Sequence, residues 1–172
     1  TVEISVHAAL TGHLGLSTLH THEAPSAIPR LLDMGAPAFL LASTVNLIIA
    51  QRLVRKICSS CAVSYAPPEE IARLVAAQIA LTGESSQKTP KTMYRGAGCN
   101  VCGRSGFSGQ IGIYEIFRIT DGVKELIMRS ADGGEIRKQA IQDGMQTMFA
   151  DGLAKVERGV TTIEEVLRVV KE

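Results

Sequence analysis

The sequence predicts an α/β chain in three parts: a mixed helix-and-strand region over 1–57, a tetracysteine zinc-bearing subdomain over 58–119, and a compact helical subdomain over 120–172. Three observations carry this reading. Cys58 and Cys61 make one Cys-x-x-Cys pair, Cys99 and Cys102 make a second, and the 172 residues hold no other cysteine. Ahead of the first pair, apolar residues recur at helical spacing and then alternate. After the second, helix-periodic stretches are divided by glycines and short polar connections, the pattern of packed helices.

Composition narrows the function classes. The net charge is +1 with acids and bases mixed along the chain, so no basic footprint of a nucleic-acid binder stands out, and no nucleic-acid partner is expected. Trp is absent and aromatics make up 4%, a poor supply of base-stacking platforms. The first residues lack the charged, apolar and small-residue pattern of a signal peptide, and paired thiols without one suggest a reducing compartment; a cytoplasmic location is expected. The most apolar stretch, Ala36 to Ala50, contains Pro37, Ser43, Thr44 and Asn46 and falls short of the roughly 20 residues a membrane span needs. It reads as part of a buried helix. A chain that begins at Thr1 without Met reads as a piece of a longer protein.

Taken in order, Val2, Val6, Ala9 and Leu10 share a helical face, and Gly12 stands where such a helix stops. In His13-Leu-Gly-Leu-Ser-Thr-Leu-His20, Leu14 and Leu16 alternate with smaller or polar residues, which predicts a strand running into a polar loop. All four histidines, His7, His13, His20 and His22, lie in these first 22 residues. A single histidine is ordinarily a side chain satisfied by common hydrogen bonds; a cluster beside hydroxyls can contact an anion or relay a proton near neutral pH. Ser26 is suited to cap a helix through Arg30, Leu31 and Leu32 that ends at Gly35, with Pro29 in its first turn. Pro37 opens a predicted long helix to about Ile57, apolar on more than one face. Gln51, Arg52, Arg55 and Lys56 would place positive charge at its C-terminus.

Two residues between the thiols of each pair let a tight turn aim both sulfurs at one point. Two such turns supply the four thiolates that zinc prefers. Gly98 and Gly103 flank the second pair, where such turns call for positive φ. A closed tetrathiolate leaves no open position, so a metal on Cys58, Cys61, Cys99 and Cys102 is expected to be structural. Two local disulfides, or four unconnected buried thiols, are the competing readings. Residues 62–98 exceed the roughly 15 to 20 residues of the usual zinc-ribbon spacing and are expected to carry structure of their own. Within them Ile71, Leu74, Val75 and Ile79 form an amphipathic helical stripe after Pro67 and Pro68, and Gly83 to Thr92 reads as a flexible loop.

Ile111, Ile113, Tyr114, Phe117 and Ile119 predict a strand close to the metal. Glu115 within it is either an exposed strand residue or the partner of an arginine. In the tail, Val123, Leu126 and Ile127 mark one helix; Ile136, Ala140 and Ile141 a second, ended by Gly144; Met148, Leu153 and Val156 a third, ended by Gly159. Thr162 and Glu165 form a capping box for a fourth, whose Ile163, Val166, Leu167 and Val170 face inward.

One set of motifs is specific. Thr11-Gly-His-Leu-Gly-Leu-Ser-Thr-Leu-His-Thr21 closely resembles the histidine box of the ATPases of type II secretion and type IV pilus assembly. The resemblance continues in order through Ala24-Pro-Ser-Ala-Ile-Pro-Arg-Leu-Leu-Asp-Met-Gly35, Ala50-Gln-Arg-Leu-Val-Arg55, the cysteine pairs, Gly109-Gln-Ile-Gly-Ile-Tyr-Glu115 and Asp151-Gly-Leu-Ala-Lys-Val156. It implies the C-terminal part of a RecA-like core in 1–57 and a cytoplasmic, hexameric ring that hydrolyses ATP with Mg2+. It implies that His20 senses the terminal phosphate with support from His13 and Thr18, and that Arg52 or Arg55 reaches the nucleotide site of a neighbouring subunit. His22-Glu23 stands where the family would have a small polar and acidic pair. The implied partners are the N-terminal part of the same ATPase, neighbouring ring subunits, and an inner-membrane platform protein through which any membrane association is indirect.

A G-x-x-x-x-G-K-[ST] phosphate loop is not found in the sequence; Gly98-Cys-Asn-Val-Cys-Gly-Arg-Ser105 has its glycine spacing with Arg in place of Lys and no apolar strand before it. These 172 residues alone are therefore expected not to hydrolyse ATP. The rival from another class is a zinc-ribbon module that binds protein or nucleic acid without ATPase function.

Overall fold

Val6 and the spacing around it do form a helix, α1 (Val2–Leu10), in this computed structural model, which describes residues 2–83 and 88–170, with side chains from residue 4. Val6 is buried; the side chain of Val2, assigned to the same face, lies outside the described residues. Next come α2 (Ala27–Asp33), α3 (Ala38–Thr44), β1 (Leu47–Ile57), β2 (Ala62–Tyr65), α4 (Glu69–Thr82), β3 (Met93–Gly96) and β4 (Phe107–Arg118). Four helices follow: α5 (Asp121–Met128), α6 (Gly133–Gln142), α7 (Met148–Glu157) and α8 (Ile163–Val170). The mixed α/β class is as expected. Residues 84–87 of the loop expected at Gly83 to Thr92 lie outside the described residues. Among the described residues, no helix is long and apolar enough to cross a membrane.

Two expected elements differ. The helix from Pro37 stops at Thr44, and residues 47–57 are a strand instead. Val45 is already extended at φ −81° and ψ 121°, and Ile48, Ala50, Arg52 and Val54 then turn inward while Leu47, Ile49, Gln51 and Leu53 face out. That is a period of two, which β-branched residues favour. Gln51, Arg52, Arg55 and Lys56 consequently lie on a strand and do not charge a helix terminus. The second difference is the segment His13–His20, which has no regular structure. Its leucines alternate as a strand requires, yet Leu14 and Leu16 stand 90% and 92% exposed. Among the described residues β1 pairs with β4 and β2 with β3, so no strand lies alongside 13–20 to complete a ladder.

The chain groups into two compact units. The first comprises residues up to Ala50 and Glu115–Met145. Its core gathers Ile28 of α2, Leu41 of α3, Phe117 of β4, Val123 and Ile127 of α5 and Ile136 of α6, all essentially inaccessible. The tail helices of this unit start at side-chain caps: Thr120 accepts the Val123 N–H and Asp132 the Glu135 N–H.

The second unit comprises Gln51–Tyr114 and Gln146–Glu172. The tail helices are thus divided, with α5 and α6 in the first unit and α7 and α8 in the second. Thr147 caps α7 by accepting the Ala150 N–H, and α7 packs on α8 and β3. Gly152 permits the α7–α8 approach, since a Cβ there would stand 2.6 Å from Cγ1 of Val166. Thr162 Oγ1 accepts the Glu165 N–H at 3.4 Å, one half of the expected capping box. The Glu165 carboxylate serves a different partner, the outer edge of β1. It accepts the Arg55 backbone N–H at 2.9 Å, Thr161 Oγ1 donates to the Arg55 carbonyl at 2.7 Å, and the Ile57 N–H donates to the Val160 carbonyl at 2.9 Å. The segment 160–165 thereby covers an edge that would otherwise present unpaired backbone groups.

Candidate metal centre

The two ribbons explain how distant cysteine pairs reach one point. β1 ends at Ile57 beside Cys58, and its partner β4 starts at Phe107 soon after Cys102. The insert leaves from Cys61 along β2 and returns to Cys99 along β3, which is antiparallel to it with Ala62 opposite Gly96 and Tyr65 opposite Met93. The pairing continues toward the turns, where the Ala97 N–H donates to the Cys61 carbonyl and the Cys58 N–H to the Gly106 carbonyl, each at 2.9 Å. The length of the insert is therefore immaterial to the site. Residues 66–83, α4 included, and 88–92 lie beyond the far end of the β2–β3 ribbon.

Within the turns, the Cys61 N–H donates to the Cys58 carbonyl at 3.2 Å and the Arg104 N–H to the Cys99 carbonyl at 2.8 Å. Gly98 and Gly103 take positive φ as expected, and Arg104 takes φ +64°. Two glycines that the sequence reading passed over matter more. A Cβ on Gly96 would stand 2.0 Å from the Gly106 carbonyl oxygen, and one on Gly106 would stand 2.7 Å from that of Gly96. The backbones entering and leaving the second turn touch there. Gly96→Ala is expected to lower the stability of the metal-loaded chain by about 2 kcal/mol or more, since backbone must move to admit the methyl; the urea midpoint at unchanged m-value measures it.

The four Sγ atoms lie within 4.8 Å of one another. Cys58 to Cys99 and Cys61 to Cys102 are each 3.9 Å, and Cys99 to Cys102 is 3.7 Å. Four thiolates at about 2.3 Å from a central zinc would be spaced by about 3.8 Å in tetrahedral geometry. All four cysteines are free thiols, so the disulfide reading does not describe this chain. Backbone donors also favour sulfur as an anion. The N–H of Cys99, at 3.2 Å, and then that of Gly106, at 3.3 Å, outweigh burial and bring the Cys102 thiol down to about 6. Burial pushes the Cys61 thiol the other way, to about 11, against the N–H of Gly98. A bound cation would draw all four to the thiolate. The donor set, spacing and backbone support fit a closed metal site, and they could hold a metal ion.

The remaining predicted residues are dispersed. His13, Thr18 and His20 are exposed along the segment before Glu23, and His13 Nδ1 is 2.9 Å from Thr11 Oγ1. Among the described residues no hydrogen bond joins these three to one another. Arg52 is half-buried on β1. Arg55 is engaged within the second unit: its guanidinium pairs with Glu165 at 2.8 Å and lies 4.1 Å from the centroid of the Phe107 ring. Glu115, left open between surface and arginine pairing, is neither exposed nor idle. It is buried and accepts the Ala24 N–H at 2.9 Å.

The chain that carries this four-cysteine cluster, with a histidine-bearing segment ahead of it, matches a known family across its length. The family model described as type II/IV secretion system protein covers residues 1–168, and the chain belongs to that family. It is 43% identical over 168 residues to the type IV pilus assembly ATPase PilB of Myxococcus xanthus and 40% identical over 172 residues to the type II secretion system ATPase E of Vibrio cholerae. A PilB of Pseudomonas aeruginosa is 41% identical over 173 residues. These matches take in 97% to 100% of this chain but 29% to 32% of the relatives, so the chain spans about a third of their length.

Proposed function

We propose that this chain is the C-terminal, zinc-binding part of a cytoplasmic hexameric ATPase that drives type II protein secretion or type IV pilus assembly. The observation that carries this is identity of about 40% along the whole chain to relatives named as ATPases of those two systems. In this reading residues 1–57 complete a RecA-like core, 58–119 form the zinc subdomain, and 120–172 form the helical end. His20 reads the terminal phosphate of ATP, with His13 and Thr18 supporting it. Phosphate loop and magnesium ligands belong to the N-terminal part of the same parent, so these 172 residues are inactive alone. The bare leucines Leu14 and Leu16 accord with this, because a strand there would need its neighbour from that part. Arg52 or Arg55 approaches a neighbouring subunit's nucleotide.

Cys58, Cys61, Cys99 and Cys102 would hold Zn2+, which supplies rigidity and no open coordination position. The knot stiffens the region that passes the motion of hydrolysis to neighbouring subunits and to the membrane platform. The test has two arms. Elemental analysis of the purified chain is expected to give one zinc and, after denaturation with a chelator, four thiols. In the whole parent, His20→Ala is expected to lower kcat for ATP by about 100-fold or more, the scale of losing a group that contacts the reacting phosphate. A parent that hydrolyses ATP normally without His20 removes the sensor role.

A further inference from the structure

The end of the histidine-bearing segment is held far more firmly than its middle. Residues 13–20 have no regular structure and are largely exposed, yet Ala24, four residues beyond His20, is fully buried. Three bonds fix this boundary, all within the first unit. The Ala24 N–H donates to Oε1 of Glu115 on β4 at 2.9 Å. The Glu23 carboxylate pairs with the guanidinium of Arg137 on α6. The Glu23 carbonyl accepts the Ser26 hydroxyl at 2.8 Å. A backbone N–H can be satisfied by water or a carbonyl, whereas a carboxylate buried as Glu115 is, at 2% exposure, is costly to desolvate. Such a group is informative where it stands. At the other end, Thr11 Oγ1 donates to the Ala8 carbonyl at 2.9 Å, which ties the segment to α1.

We infer that Glu115 and Arg137 are positioning residues: together they clamp residues 23–24 and so set where the segment presents His20. This rests on the reading of His20 as the phosphate sensor. Neither residue touches nucleotide in this account; both act through the backbone and side chain of the residues that follow His20. The two differ in kind. Arg137 is partly exposed, with 28% of its side chain accessible, so its removal is expected to leave the fold intact. Glu115 belongs to the core, where only the isosteric Glu115→Gln is a fair probe.

The experiment compares Arg137→Ala, Arg137→Lys and Glu115→Gln with the unmodified chain by amide hydrogen exchange. Arg137→Ala is expected to speed exchange at residues 22–26 by about 10-fold, with α5 and the buried turns of α6 unchanged. Arg137→Lys restores part of the protection, because it keeps the charge and loses the fork. In the whole parent, Arg137→Ala is expected to lower kcat by about 10-fold with KM for ATP unaltered, the mark of a group that aligns rather than binds. Unchanged exchange at 22–26 in both Arg137→Ala and Glu115→Gln overturns the clamp, whatever the kinetics. Faster exchange with an unaltered kcat leaves the clamp standing as an anchor of the segment. It then overturns the positioning role, whereas the sensor reading of His20 falls only if His20→Ala leaves kcat unaltered.

Discussion

With zinc in the proposed site, Cys58→Ser is expected to abolish its stoichiometric binding and to unfold the second unit. Structural zinc contributes on the order of 10 kcal/mol to the folding of small domains, against a total stability of about 5–15 kcal/mol for an ordinary domain. A single hydrogen bond or exposed ion pair contributes about 1 kcal/mol. Cys58 is also the most buried of the four, at 1% exposure, and its Sγ stands 3.9 Å from that of Cys99, so the metal link between the two turns is lost with it. Serine offers a harder, protonated oxygen in place of a thiolate and does not replace the ligand. Residue-resolved amide exchange checks the outcome: α7 and α8 should lose protection with 51–114, while α5 and α6 keep theirs. Removal of metal from the unmodified chain by a strong chelator should give the same map. Native protection in α7 and α8 without metal would show that the packing there is self-sufficient.

Glu165→Ala is expected to cost about 3 kcal/mol. The carboxylate is 3% exposed and receives the Arg55 guanidinium, the Arg55 backbone N–H and the Arg168 guanidinium. Its loss leaves a strand N–H without an acceptor and two arginines without their anion, the situation in which removing one partner of a buried network is most damaging. Hydrogen bonding from Arg55 comes first, ahead of the opposing effect of burial, and with Arg168 it holds the Glu165 carboxyl down to about 2. Because the folded value lies below the ordinary carboxylate value, this stabilisation is present in full above about pH 4.5. It fades as pH falls toward 2. The difference in denaturant midpoint between the unmodified chain and Glu165→Gln, followed over that range, should shrink on acidification; a constant difference would mean that charge plays no part.

The two sites were not equally legible. Cys58, Cys61, Cys99 and Cys102 could be read directly, since each pair is a local turn and only the join between turns is remote. That join is made by β2 and β3, which are four residues each, too short for an alternation to declare itself. The opposite problem hid β1. Between Ala38 and Ile57 apolar residues are dense enough to satisfy a helix apolar on several faces as well as a strand. What decides is the inward Ile48, Ala50 and Val54 against the outward Leu47, Ile49 and Leu53, visible once β4 lies alongside. Glu165 stands at the end of a local capping-box pattern, and its distant partner 110 residues away leaves no trace in the sequence near it. Glu115 is similar: its use depends on Ala24, 91 residues earlier. Local geometry was recoverable; the remote partners of buried carboxylates were not.

The covering of β1 by residues 160–165 has a consequence in time. Synthesis runs from the N-terminus, and β1 leaves the ribosome roughly a hundred residues before Val160 does, about 5 to 20 s at ordinary elongation rates. Over that interval the Arg55 and Ile57 backbone groups on the outer edge have no acceptor or donor from their own chain, while Leu47, Ile49 and Leu53 stay exposed on one face. A nascent chain in this state carries an open strand edge with an apolar flank, which invites pairing with another copy. The four cysteines, complete by residue 102, can close on metal well before that. Early capture of the ion would bring β4 against β1 and leave one edge to guard instead of two, so scarcity of zinc during growth should appear as insoluble product rather than as soluble chain lacking metal.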